Sequence, residues 1–479
     1  MCGCLGIIAS MRALLYRILI LLAVIGLVLA PPVLTGYAQV RQAESALKVN
    51  DISFAAGSYE HAAWLLPWYP GLWEQAGQLR FKLREFDQAI MLLEKARQSG
   101  SLSGSGWDIL GLSYWSQTGK FDKALETWET GLESYPSYSM LDYRLAIAYF
   151  EQMDYSAERD ALERWVAGDG SQDARAHYRL GQLLAASESD RSLQEFLQAS
   201  LLDPEYASAV ETMRTALNLA SLETDESKKL VLVGRGLGLV NEWALAEDAF
   251  RQAVAADGEN AEAWAWLGEA EQQLGQDGRA ELDKALSFGS TDPVVHSLRG
   301  LYWTRQGNGS QALAEYRLAA QYDPENPVWQ VSIGDAYAQS GDLQAALRAY
   351  TRATEMDPTD EKLWRTLAAF SARYNMQVED VGLPAARKAV DLNEEDPLAQ
   401  DTLGWTLALL ERYDQAQDAF AHALRLDSGL ASAHLHLGIV AIQLDEWESA
   451  ADHLRQARDL DPDGSVGEQA QVLLSQYFP

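Results

Sequence analysis

The sequence predicts an all-α protein in which helix hairpins stack side by side as a solenoid. Three observations support this fold class: apolar residues recur at helical spacing, small residues return at fixed positions, and proline or glycine ends the helical segments. Residues 333–358, IGDAYAQSGDLQAALRAYTRATEMDP, show all three features within one hairpin. Gly334, Ala346 and Ala353 occupy its contact positions, and its second helix ends before Pro358 because proline cannot continue a helix interior.

This hairpin pattern returns along the chain with a period of about 34 residues, which predicts roughly eleven or twelve units between residues 40 and 464. The glycine recurs in other units as Gly77, Gly111, Gly300, Gly404 and Gly438. Large apolar residues follow each glycine, at a spacing of 9 or 10 residues for Phe86 and Phe121 and of 16 residues for Tyr316, Phe420 and Leu454. Ordering one residue costs about 1–2 kcal/mol of backbone entropy, whereas burying one apolar side chain returns about 1.5–3 kcal/mol. A lone hairpin is therefore unstable, and each unit needs its neighbours.

At these residues the chain resembles the tetratricopeptide repeat family. Ile333-Gly334-x2-Tyr337, Ala346-x3-Tyr350 and Pro358 match the pattern W-x2-L-G-x2-Y, A-x3-F and P of that family. The resemblance implies an all-α right-handed superhelix of helix-turn-helix repeats. It also implies a non-catalytic scaffold or adaptor, whose groove binds peptide or helix segments of protein partners. Two alternatives stay open: an architectural spacer rod of an envelope complex, and a non-catalytic subunit of an enzyme assembly.

Four segments are expected. Residues 1–38 form an N-terminal signal anchor or signal peptide, residues 39–222 a first sub-array of repeats, residues 223–464 a second, and residues 465–479 a C-terminal capping helix. The joint between the sub-arrays is predicted from an additional helical stretch after Pro204, which is followed by the polar sequence ETDESKK.

The N-terminal segment carries Arg12 and Arg17 before an apolar run from Ile18 to Leu34 that is interrupted only by Pro31-Pro32. As a helix this run would span about 25 Å, against about 30 Å for a hydrocarbon core. We expect a single-pass anchor with a cytoplasmic N-terminus and the repeats on the extracytoplasmic side of a bacterial membrane. The alternative is a secreted protein cleaved near Ala38. Initiation at Met1 or at Met11 is compatible with both.

Composition excludes several classes of function. A net charge of −31 argues against nucleic-acid binding, because no basic surface is available to neutralise phosphates. The only cysteines are Cys2 and Cys4, so the repeats hold neither a disulfide framework nor a thiol metal site. No HExxH, GxSxG or phosphate-loop motif occurs. We therefore expect no catalytic residues, cofactor, metal or small-molecule substrate.

The candidate binding residues lie on the first helix of each hairpin, which forms the inner face in this family. In the first sub-array they are Phe81, Leu112, Trp115, Ile147 and Phe150. In the second they are Trp266, Arg305, Asp335, Gln339, Arg365, Arg373, Trp405 and His436. The aromatic residues predict an apolar groove for a peptide or helix, or else rings buried against neighbouring units. The arginines either hold a partner's carboxylate or pair with carboxylates of the chain itself.

Overall fold

The computed structural model describes residues 30–478, and every regular element in that range is helical. The described part of the first helix, α1, covers residues 30–48. The remaining helices are α2 (Ile52–Leu65), α3 (Leu72–Lys82), α4 (Phe86–Gln98), α5 (Gly104–Trp115), α6 (Phe121–Ser134), α7 (Met140–Gln152), α8 (Tyr155–Ala167), α9 (Ala174–Leu184), α10 (Ser189–Leu202), α11 (Ala207–Leu222), α12 (Glu226–Leu239), α13 (Trp243–Ala256), α14 (Ala261–Gln273), α15 (Arg279–Phe288), α16 (Pro293–Arg305), α17 (Gly309–Tyr322), α18 (Val328–Ser340), α19 (Leu343–Met356), α20 (Glu361–Arg373), α21 (Leu383–Leu392), α22 (Pro397–Leu409), α23 (Tyr413–Leu426), α24 (Ala431–Gln443), α25 (Trp447–Leu460) and α26 (Ser465–Tyr477).

Consecutive helices pair into hairpins, from α1 with α2 to α24 with α25, while α11 and α26 stand outside this pairing. The predicted all-α, repeat-built fold is thereby confirmed. The predicted N-terminal apolar helix lies mainly outside the described residues. Among residues 30–478, no helix is long and apolar enough to cross a membrane.

The chain divides into two compact units, Met1–Leu217 and Asn218–Pro479. The division falls within α11, which is the additional helical stretch that the sequence places between two sub-arrays. The predicted boundary after residue 222 stays a prediction. In the second unit, α15 is only 10 residues long, whereas α13 and α17 have 14 each.

One contact recurs in most hairpins and explains the small residues. A Cβ atom added to Gly334 would lie 2.8 Å from the ring of Tyr350, and one added to Gly300 would lie 2.5 Å from the ring of Tyr316. The same contact joins Gly181 to Phe196, Gly234 to Phe250, and Gly404 to Phe420. The first helix therefore carries glycine because a large ring from the second helix lies directly against its backbone.

A second recurring contact ties each of several hairpins to the preceding helix. Trp264 Nε1 donates to the carbonyl of Gly258 at 2.9 Å, and Trp364 Nε1 donates to that of Pro358 at 3.0 Å. Three histidines at the equivalent position place Nε2 near the carbonyl six residues earlier, namely His177 at 3.3 Å, His296 at 3.0 Å and His434 at 3.3 Å. These bonds satisfy carbonyls in the turns that follow helices, which would otherwise lack partners.

The other ring nitrogen of each histidine faces the second helix of its own hairpin. His177 Nδ1 lies 2.5 Å from Glu195 Oε2, and His296 Nδ1 lies 2.6 Å from Glu315 Oε2. In the last hairpin the partner of His434 is instead His453, with the two Nδ1 atoms 3.0 Å apart. The same structural position therefore carries a carboxylate in two hairpins and a second imidazole in the third.

The histidine pKa is shifted in opposite directions in two of these hairpins. Burial opposes the charged form of His296, but its hydrogen bonds to Glu315 and to the Ser290 carbonyl outweigh burial and raise its pKa. Burial lowers the pKa of His434, and burial together with the neighbouring His434 lowers the pKa of His453. The last hairpin thus disfavours protonation, whereas the hairpin of His296 favours it.

Mild acid should therefore loosen the last hairpin. An unfolded chain binds protons at histidine near pH 6.5, so the stability held by His434 and His453 is present above about pH 6.5 and is lost below it. The protection factors of amides in α24 and α25, which compare each exchange rate with the intrinsic rate at the same pH, should fall when the pH falls from about 7.5 to about 5.5. Asp452 favours the protonated form of His453, but burial and His434 outweigh it.

His453→Glu is the matched variant, because it recreates the pairing of His296 with Glu315. It should remove most of the acid-dependent loss of protection in α24 and α25. An equal pH dependence in the wild-type chain and the variant would contradict this assignment.

Gly334→Leu should lower the free energy of unfolding by roughly 1–3 kcal/mol, because the added side chain must displace the ring of Tyr350. Gly57→Ala is the control, since a Cβ there meets no atom within 4 Å. That change should be neutral or stabilise by about 0.5–1 kcal/mol, because alanine is the better helix former. Denaturant unfolding of both variants gives the comparison, and an unchanged midpoint for Gly334→Leu would refute the predicted register.

Candidate functional site

The first helices of four successive hairpins line a continuous cleft in the second unit. One part, of about 470 Å³, is bounded by α18, α20 and α22 with Tyr350 from α19. The adjoining part, of about 430 Å³, is bounded by α20, α22, α24 and Gln469 of α26. Ala369, Arg373 and Thr402 belong to both parts, so we treat them as one surface, the first-helix cleft.

Helical spacing brings the lining side chains to one face. Asp335 and Gln339 are four residues apart on α18, as are Arg365, Ala369 and Arg373 on α20. Residues at this spacing are neighbours on a helix surface. Six of the predicted residues line the first-helix cleft: Asp335, Gln339, Arg365, Arg373, Trp405 and His436.

The floor of the cleft is aromatic. The rings of Trp405 and His436 stack with centroids 4.5 Å apart and an interplanar angle of 14°. The ring of Phe370 lies 4.8 Å from that of Tyr350 and 5.0 Å from that of Tyr374. Stacked and tilted rings of this kind present a flat apolar surface with polar edges.

Each carboxylate at the cleft has a partner within the chain. Asp335 accepts a hydrogen bond of 2.6 Å from Tyr350, whose pKa is raised by burial and by this bond. Asp401 accepts from Ser432 at 2.8 Å and lies 2.8 Å from His436 Nδ1. Both side chains therefore have hydrogen-bond partners within the chain.

The two arginines of the cleft differ. Arg365 Nε lies 3.2 Å from Asp396 Oδ2, as an ion pair without the alignment of a hydrogen bond. Arg373 is exposed, and among residues 30–478 no carboxylate lies within ion-pair distance of it. Its guanidinium carbon lies 5.7 Å from the ring centroid of the adjacent Tyr374. In a chain of net charge −31, Arg373 is thus a cation open to an external anion.

The other two predicted residues of the second unit lie outside this cleft. Arg305 donates two hydrogen bonds to Glu269, at 2.7 Å and 2.6 Å, so its guanidinium is paired within the chain. Trp266 stacks on Phe250 at 6.1 Å and has the guanidinium of Arg235 5.2 Å from its ring. The sequence allowed Arg305 to bind either a partner's carboxylate or a carboxylate of the chain itself, and the structure shows the second.

The predicted residues of the first unit do not share one environment. Leu112 and Trp115 are half-buried against the core, and the ring of Trp115 lies 4.8 Å from that of Phe121. Phe81 is also half-buried, and Ile147 and Phe150 are exposed. The expected row of three solvent-facing rings is therefore not formed, because Phe81 and Trp115 fill space between helices. A role of these five residues in partner binding stays a prediction.

Comparison with protein families agrees with this repeated geometry. Models described as tetratricopeptide repeat match residues 304–370 and residues 110–172, 240–293 and 402–465. The chain belongs to the tetratricopeptide repeat family.

Individual relatives share only part of their sequence with this tetratricopeptide repeat protein. It is 25% identical to Superkiller complex protein 3 of Homo sapiens over 296 residues, which cover 58% of this chain and 17% of the human protein. Among solved structures, it is similar to yeast Tom70 with 13% identity and a TM-score of 0.43, covering 92% of this chain and 95% of that chain. The APC/C hetero-tetramer Cut9-Hcn1 matches with 14% identity and a TM-score of 0.42, covering 95% and 99%.

Sequence reasoning missed some cleft residues. Asp401 and Thr402 line the cleft of this tetratricopeptide repeat protein but were not predicted. The available signal was spacing, because Asp401 lies one helical turn before Trp405. The repeat pattern could not indicate that Asp401 Oδ1 lies 2.8 Å from His436 Nδ1, because these residues belong to different units.

Trp115→Ala and Phe150→Ala should separate structural from exposed rings. Trp115 packs on Phe121 and Trp128, so its loss should lower the free energy of unfolding by about 1–3 kcal/mol. Phe150 is exposed beneath the Arg179 guanidinium, 4.9 Å away, so its loss should change stability by about 0.5 kcal/mol or less. Thermal unfolding measured by circular dichroism tests both, and equal losses would contradict the assigned environments.

Proposed function

We propose that this tetratricopeptide repeat protein is a non-catalytic scaffold that binds a peptide or helix segment of a protein partner in the first-helix cleft. The observation that carries the proposal is Arg373, an exposed cation that has no carboxylate partner among the described residues and lies in a cleft with an aromatic floor. A positive charge beside an apolar surface is suited to a segment that carries both an acidic group and an apolar side chain.

The paired residues of the cleft support the same occupant. Asp335 and Asp401 already accept hydrogen bonds from Tyr350 and Ser432, and neither lies within ion-pair distance of Arg373, so Arg373 is left to a ligand. Arg365 is held to Asp396 by charge and its Nε atom is buried, so charge-assisted hydrogen bonds to a ligand are expected from the exposed Arg373. Charge-assisted hydrogen bonds of this kind are about twice as strong as neutral ones.

The proposal includes a location and an overall form. We infer a right-handed superhelix of repeats, held by the N-terminal apolar run on the extracytoplasmic side of a bacterial membrane. The support is the order of the sequence, in which Arg12 and Arg17 precede the run from Ile18 to Leu34. Secretion after cleavage near Ala38 is the alternative location.

Cross-linking in native membranes, followed by purification and mass spectrometry, tests the scaffold. Arg373→Glu should lose a partner that the wild-type chain retains, and a peptide from that partner should bind at least about tenfold more weakly. The matched control is Arg352→Glu, because Arg352 is exposed on α19 and pairs with Glu355.

Four outcomes are distinguishable in this experiment. Loss of the partner with Arg373→Glu but not with Arg352→Glu supports the first-helix cleft as the binding site. Retention of the same partner by both variants excludes the cleft as its site. A chain that captures no protein favours the spacer rod, and a chain that captures only enzyme subunits, independently of Arg373, favours the non-catalytic subunit.

A further inference from the structure

Two segments of the chain meet at one end of the first hairpin, the end where the described part of α1 begins. The connection between α2 and α3 folds back beside the start of α1, since a Cβ on Gly36 would lie 2.5 Å from Leu66 Cγ. The rings of Tyr37 and Tyr69 meet edge to face, 6.1 Å apart. Side chains from α1 and from the α2–α3 connection therefore share one surface, which we call the aromatic end.

Large apolar side chains are exposed on the aromatic end. Trp68 is 62% exposed, and Leu34, Tyr37 and Tyr69 are exposed as well. Exposed apolar groups that cluster at one site mark a surface that contacts a partner or a membrane.

The aromatic end lacks charged side chains of its own. Residues 30–40 and 62–73 contain no Asp, Glu, Lys or Arg, although these make up 22% of the chain. The first charged residue of α1 is Arg41, toward the opposite end of the helix. Lys95 of α4 lies beside this end, with its Nζ 3.8 Å from the ring of Trp64. A protein-docking surface is normally rimmed by charged and polar groups, whereas these two segments are uncharged throughout.

Tryptophan and tyrosine concentrate where a bilayer meets water, because each combines an apolar ring with a hydrogen-bonding edge. The apolar run from Ile18 to Leu34 leads directly into this end of the hairpin. We propose that the aromatic end, formed by Leu34, Tyr37, Trp68 and Tyr69, lies in the headgroup interface of a phospholipid bilayer. The first hairpin is thereby seated on the membrane, and Lys95 lies close to the lipid phosphates. This inference rests on the membrane attachment included in the proposed function.

Site-specific fluorescence on the full-length chain tests the proposal. Cys2→Ser and Cys4→Ser remove the native thiols, and Tyr69→Cys introduces one site for an environment-sensitive dye. Tyr477→Cys is the matched control, because Tyr477 is 40% exposed and Tyr69 is 39% exposed. Each labelled chain is reconstituted into vesicles of equal parts phosphatidylcholine and phosphatidylglycerol, with and without phosphatidylcholine brominated near the glycerol backbone.

Flotation of the vesicles first shows whether the chain is attached to them. If attached, the dye at position 69 should emit at shorter wavelength and be quenched by brominated lipid several-fold more than the dye at position 477. Attachment with equal quenching at both positions overturns the aromatic end as a membrane contact and leaves the anchor standing. Failure to float overturns the membrane attachment itself, and the inference with it.

Trp68→Cys provides a second labelling site, because Trp68 is the most exposed ring of the aromatic end and its replacement removes little packing. Its dye should behave like the dye at position 69. A circular dichroism spectrum equal to that of the wild-type chain establishes that each labelled chain is folded. A dye at position 68 that stays in water, in a folded chain attached to vesicles, contradicts the proposal.

Discussion

The structure depends on how closely the two helices of one hairpin approach. A glycine on the first helix accepts a ring from the second directly against its backbone, as Gly334 accepts Tyr350 and Gly404 accepts Phe420. Such a ring is buried on both sides, and Phe420 is wholly inaccessible to solvent. Because close packing tolerates little change of volume, this contact fixes the distance and register of the helices. In every hairpin that has this contact, the remaining faces of the first helix are therefore oriented in the same way.

The first-helix cleft is a consequence of that regularity. When the face that carries Gly334 on α18, Ala368 on α20 or Gly404 on α22 is turned toward the second helix, residues on another face line a shared surface with the next first helix. The polar contacts then set its charge. Asp335 and Asp401 are satisfied by Tyr350 and Ser432, whereas Arg373 keeps its charge exposed. The net effect is one exposed cation without a carboxylate partner among the described residues, in a protein whose overall charge is strongly negative.

The histidine positions show how one repeat position can carry different chemistry without a change of fold. In each case Nε2 is placed near a carbonyl of the preceding turn, a geometry that a tryptophan indole reproduces elsewhere. The partner of Nδ1 is free to vary between glutamate and histidine. Stability can therefore respond to pH differently in different hairpins of one chain, although the backbone contacts are alike.

The repeat pattern alone determined the all-α fold, the hairpin unit and the helix face on which cleft residues lie, because helical periodicity and the recurring glycine are local properties of the chain. Six of the eight residues predicted in the second unit line the first-helix cleft for that reason. Only the tertiary structure decided which charges are paired. Arg305 and Arg373 look equivalent in sequence, yet Glu269 lies within reach of the first, and among the described residues no carboxylate reaches the second. Such pairings, like the burial of Phe81 and Trp115, depend on distances between helices that no single repeat encodes.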